Sequence, residues 1–101
     1  MKQFDIRENP SARSREIVPY LLIVQHDFLD SLPTRVVVPL ARGVKNATRL
    51  NPVLEIEGEK LTLLTQDMAS VRVEDLGRHV TSLVHRRTEI LAAIDFLLTG
   101  F

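Results

Sequence analysis

Residues 3–7, Gln-Phe-Asp-Ile-Arg, alternate in polarity and predict a short opening strand with Phe4 and Ile6 on one face. Residues 8–16 are polar, pass through Pro10 and bring Arg13 and Arg15 close to Arg7, the pattern of an exposed loop. Residues 20–25 form a continuous apolar run with branched Ile23 and Val24, too short for a helix and suited to a buried strand. Phe28 and Leu29 then fall in a turn bounded by Asp27, Asp30 and Pro33, where large apolar side chains are out of place. Three successive valines in 35–40 predict a central strand, with Pro39 ending its ladder. After a basic loop over 41–52, residues 53–65 read as a hairpin turning at Glu57-Gly58. Residues 71–73 alternate as a short strand before 74–77 turn the chain. The count is five or six short strands.

Only the C-terminal part carries a sustained helical period. Ser82 is placed to cap it, and Leu83, Ile90, Leu91, Ile94, Leu97, Leu98 and Phe101 fall in a sector about 120° wide at the helical advance per residue. Thr88, Ala92, Asp95 and Thr99 make the opposite face, with Glu89 and Phe96 beside it. Gly100 stands where such a helix stops, leaving Phe101 beyond it. The fold class is therefore mainly β with a C-terminal α-helix, as one domain over residues 1–101.

Composition narrows the function. Thirteen basic residues balance thirteen acidic ones, so the molecule lacks the positive field of a non-specific nucleic-acid binder. The chain has no cysteine, which removes disulfide and thiolate chemistry and suits a reducing compartment. No stretch approaches the roughly 20 apolar residues that span a bilayer, and Met-Lys-Gln-Phe-Asp does not open like an export signal. The expectation is a cytoplasmic protein with no membrane partner.

Catalytic chemistry finds little footing. His26, His79 and His85 lack the short fixed spacing of metal ligands, the four glycines are too scattered for a phosphate cradle, and no nucleophile elbow surrounds a serine. The expectation is no metal, no cofactor and no catalytic residues. His26 beside Asp27 and Asp30 imitates an acid-base cluster, but capping and solvation account for it in a turn this rich in acids. The basic loops around Arg13-Ser14-Arg15 and over 42–49 are either solvated surface or a dock for an acidic partner segment.

Four stretches read together carry a likeness: Val24-Gln25-His26-Asp27-Phe28-Leu29-Asp30, Val37-Val38-Pro39-Leu40, Leu64-Thr65-Gln66-Asp67-Met68-Ala69-Ser70-Val71, and Ala93-Ile94-Asp95 through Thr99-Gly100-Phe101. In this order and at nearly these separations they resemble the CcdB family of toxins from toxin-antitoxin modules. The resemblance implies an SH3-like β-barrel of the kind CcdB shares with MazF, a C-terminal helix and a homodimer. It implies a non-enzymatic toxin that binds the A subunit of DNA gyrase and traps its cleaved complex with DNA. DNA would be met only through gyrase or a toxin-antitoxin repressor complex. A CcdA-like antitoxin with a disordered C-terminal segment would neutralise the toxin.

Carried onto this chain, the gyrase grip falls on Phe28, Leu29, Asp95, Leu98, Thr99, Gly100 and Phe101. The antitoxin is assigned Arg13, Arg15, Arg42 and Lys45. The best-known members place tryptophan at the position of Thr99 and asparagine at that of Asp95, and their loop at 41–52 is longer. Two other functions remain open. One is a messenger-RNA endoribonuclease resembling MazF and Kid, for which Arg13, Arg15 and Asp27 are the loose candidates. The other is an inert relative that binds only antitoxin.

Overall fold

The three successive valines lie on the strand that organises the molecule. In the computed structural model, which describes residues 1–44 and 47–100, seven strands form an antiparallel sheet. They are β1 (Asp5–Glu8), β2 (Tyr20–Ile23), β3 (Thr34–Ala41), β4 (Val53–Ile56), β5 (Glu59–Leu63), β6 (Ala69–Arg72) and β7 (His79–Ser82), followed by helix α1 (Arg87–Thr99). The sheet runs β4-β5-β3-β2-β1-β7, with β6 also on β3, and it curls into a half-barrel. Mainly β with a C-terminal helix, as the periodicities predict, is the observed class.

Strand β2 is buried on both sides, which is why its sequence is continuously apolar rather than alternating. Leu22 enters the main core with Ile6, Leu40, Leu54, Leu61, Leu63, Leu83 and Ile90. Its neighbours Leu21 and Ile23 point the other way, packing with Val37 and, at the margin, Val18, Val71 and Leu76. The hairpin β4–β5 turns at Glu57 and Gly58, whose φ values of 51° and 81° suit a two-residue turn with both central residues left-handed.

Pro39 does not end β3, which continues to Ala41. Its carbonyl accepts the Leu64 N–H at 2.9 Å. Amide and carbonyl of one strand residue face the same side, so the missing N–H faces that side too. There the partner of β3 changes from β6, opposite residues 34–37, to β5, opposite 40–41. The ladder has no use for a donor at the changeover.

Two further differences concern the ends. Ser82, expected to cap the helix, instead ends β7, which pairs to β1. The helix starts only at Arg87, after a 3-10 turn over Val84–Arg86, and the Ser82 hydroxyl accepts the Val84 N–H at 3.3 Å at the foot of that turn. At the other end Phe4, the residue before β1, takes φ 70° although its side chain is buried. Such a conformation costs a bulky residue on the order of 1–3 kcal/mol. Its N–H donates to Ile23 and its carbonyl accepts from Leu83, so hydrogen bonds on both sides fix it.

Candidate functional site

Phe28 is 89% exposed, the most exposed large apolar side chain among the described residues. It sits in a 3-10 turn, Asp27–Leu29, with Leu29 and Leu32 also exposed. The segment is nevertheless firmly tied. Gln25, 9% exposed, donates its amide to the Leu29 and Thr34 carbonyls at 3.1 and 3.2 Å and accepts the Val36 N–H at 3.0 Å. Arg35, 7% exposed, donates to the carbonyls of Asp30, Leu32 and Thr34 at 2.8–3.0 Å. Asp27 Oδ1 accepts the Gln3 N–H at 2.8 Å, and His26 Nδ1 accepts that of Phe28 at 3.0 Å. His26 thus caps the turn and Asp27 tethers it, in line with the capping the sequence suggests. Gln25 and Arg35 escaped that reading. A buried polar residue at the end of an apolar run, and a buried arginine at the start of a valine run, were the available signs.

The helix end is the second part. Ile90 and Ala93 are buried and Ile94 packs against the core. Leu91 and Leu97 are exposed and Leu98 is 73% exposed, so the sheet covers only part of the apolar sector. Phe96, expected beside the polar face, is half-buried under the Arg49 guanidinium, 4.5 Å from its ring centre. Asp95 and Thr99 are exposed, and the Thr99 hydroxyl donates to the Asp95 carbonyl at 2.7 Å. Gly100 ends the helix at φ 79°, its N–H reaching the Phe96 carbonyl at 2.9 Å. Phe101 lies outside the described residues.

Gln3 joins the two parts. Its backbone holds Asp27 and its side chain holds the Val24 carbonyl, while on the other side it lines a cleft of about 440 Å³ with Phe4, Leu91 and Asp95. One residue thus touches both the base of the Phe28 turn, through Asp27, and the cleft on α1.

The basic residues divide. Arg15 and Arg42 line a second cleft with Glu8, Glu16 and Tyr20, whereas Arg13 is exposed in the loop before it and Lys45 lies outside the described residues. Arg42 is paired to Glu59 and donates to the Glu16 carbonyl at 2.8 Å, fastening the 9–19 loop to the hairpin. The pairing raises the Arg42 pKa above its ordinary value and holds the Glu59 carboxyl below its own. Arg15 donates to the carbonyls of Asn9 and Pro10. It belongs to this cleft and Asp27 to the Gln3 tether, so the loose acid-base candidates are not brought together. Among the described residues no three His, Asp or Glu side chains gather as a metal site, and no helix is long and apolar enough to cross a membrane.

A braced turn and a helix end, each exposing large apolar side chains, suit a protein partner better than a small substrate. The family model described as "CcdB protein" matches residues 3–100.

Proposed function

Because the chain belongs to the CcdB family, we propose that it is the toxin of a toxin-antitoxin pair that acts by binding the A subunit of DNA gyrase and trapping the enzyme on cleaved DNA. The observation that carries this reading is the combination of full exposure at Phe28 with the buried braces Gln25 and Arg35 beneath it. A large apolar ring held out on a rigid turn loses little conformational freedom on docking, and aromatic residues of this kind dominate binding energy. In the best-known members the helix end supplies a tryptophan, whereas Thr99 here turns its hydroxyl back onto the helix. Phe28 supplies the aromatic anchor in its place, with Leu29, Leu98, Asp95, Gly100 and Phe101 completing the contact.

The protein works without catalytic residues or cofactor, as a homodimer in the cytoplasm. Its antitoxin lays an acidic segment across the cleft of Arg15 and Arg42, with Arg13 and Lys45 as further contact residues. Exposed Leu91 and Leu97 suit the contact with a second copy.

Purified protein incubated with gyrase, relaxed or supercoiled DNA and ATP is expected to accumulate double-strand breaks, and a variant lacking residues 99–101 to leave the DNA intact. Unbroken DNA at a large excess of the full chain would overturn the gyrase reading.

A further inference from the structure

The Phe28 turn is capped by a histidine, which is not among the usual capping residues. His26 is extended, with φ −67° and ψ 147°, and its Nδ1 accepts the Phe28 N–H at 3.0 Å. Its ring leans on the ring of Phe28, with centroids 4.7 Å apart and planes tilted by 57°. An imidazole nitrogen that accepts a hydrogen bond carries no proton, so the capping state is neutral imidazole with its hydrogen on Nε2. A second proton turns Nδ1 into a donor facing a donor, and the cap is lost. Histidine is the side chain that changes charge between about pH 5 and 8.

The rest of the turn is insulated from that change. The carbonyls of Leu29, Asp30 and Leu32 are held by Gln25 and Arg35. Asp27 Oδ1 is engaged by the Gln3 N–H. The titratable groups on its own turn are Asp27 and Asp30; Arg35 reaches that turn from β3 through the Asp30 carbonyl, and Lys2 and the α-amino group precede Gln3, whose N–H Asp27 holds. We propose that neutral His26 is a positioning residue that fixes the direction of Phe28, and that protonation of His26 releases this side chain while the turn behind it stays in place. Where Phe28 grips gyrase, a consequence that rests on the function proposed above, engagement weakens as pH falls.

Nuclear magnetic resonance of the full chain from pH 8 to 5 tests this directly. In the wild type the Phe28 amide resonance is expected to move in step with the His26 ring, and its exchange with solvent, corrected for the intrinsic rate, to quicken about fivefold on the acid side, the scale of a lost cap. In His26→Asn, whose side-chain oxygen accepts at every pH in the range, the Phe28 amide should stay protected and flat. In His26→Ala it should exchange quickly throughout. A Phe28 amide that ignores the His26 titration, or is equally protected in His26→Ala, overturns the inference. Affinity for the gyrase A subunit, measured on wild type and His26→Asn over the same range, is a separate arm. Absence of gyrase binding alongside a titrating Phe28 amide supports the role of His26 and removes gyrase as the target.

Discussion

Phe28 and Gln25 occupy the same turn and should fail in opposite ways. Phe28→Ala removes a side chain that touches little of its own molecule beyond the His26 ring. Its melting temperature should stay at the wild-type value, while affinity for the gyrase A subunit, read by calorimetric titration, falls at least tenfold, the scale of an aromatic anchor. Gln25→Ala strands the Val36 N–H and takes one of two donors from each of the Leu29 and Thr34 carbonyls, which costs about 1–3 kcal/mol in urea unfolding. Equal loss of stability in both variants would show that Phe28 is structural. The identity of the exposed pair was legible in the sequence because apolar residues in an acidic turn have no local reason to be there. The brace was not legible, since a hydrogen bond from residue 25 to residue 34 depends on how two strands and their connection close up.

At the level of elements, the hairpin at Glu57-Gly58 and the stop at Gly100 were legible because each is settled by a residue's own backbone preference. Strand β7 was hidden because its neighbour in space, β1, lies more than 70 residues away in sequence. What fixes it is close backbone approach at Gly77, whose N–H reaches the Glu8 carbonyl at 3.2 Å, while Arg7 Nε donates to the Gly77 carbonyl at 2.7 Å. A Cβ at this glycine would stand 2.4 Å from the Glu8 oxygen, a backbone atom that cannot swing aside. Gly77→Ala is therefore expected to lower the melting temperature by several degrees and to speed amide exchange in β1 and β7 ahead of β4 and β5. Helix α1 shows a different limit. Its period put Ile90 and Ile94 on the inner side, but Leu83 falls before the helix, and periodicity cannot say how much of the apolar sector a sheet will cover: Leu91, Leu97 and Leu98 stay outside.

For the whole molecule, the Arg42–Glu59 pair ties the 9–19 loop to the far hairpin and brings a pH dependence with a definite sign. The carboxyl is held below its ordinary value when folded, so its contribution is present above the unfolded pKa and disappears as pH falls through the folded one. Both side chains are partly exposed, so the effect is small and screened by salt. Wild type should exceed Glu59→Gln in stability at pH 7 and low salt, and the two urea curves should converge toward pH 3. Curves that remain separated there would assign the difference to something other than the carboxylate charge. The changeover at Pro39 bears on the molecule as a whole in another way. Hairpin β4–β5 and strand β6 hang from opposite halves of β3 and follow one another through the 64–68 segment, like two arms on a single rail. Strand β6, exposed along most of its length, can open while the hairpin, whose Leu54, Ile56, Leu61 and Leu63 fill the core, stays zipped, so opening need not be all-or-none from that edge. The amides bonded between β2 and β3 should then be the last to exchange, and a partner that clamps both arms at once would slow them without touching the rail.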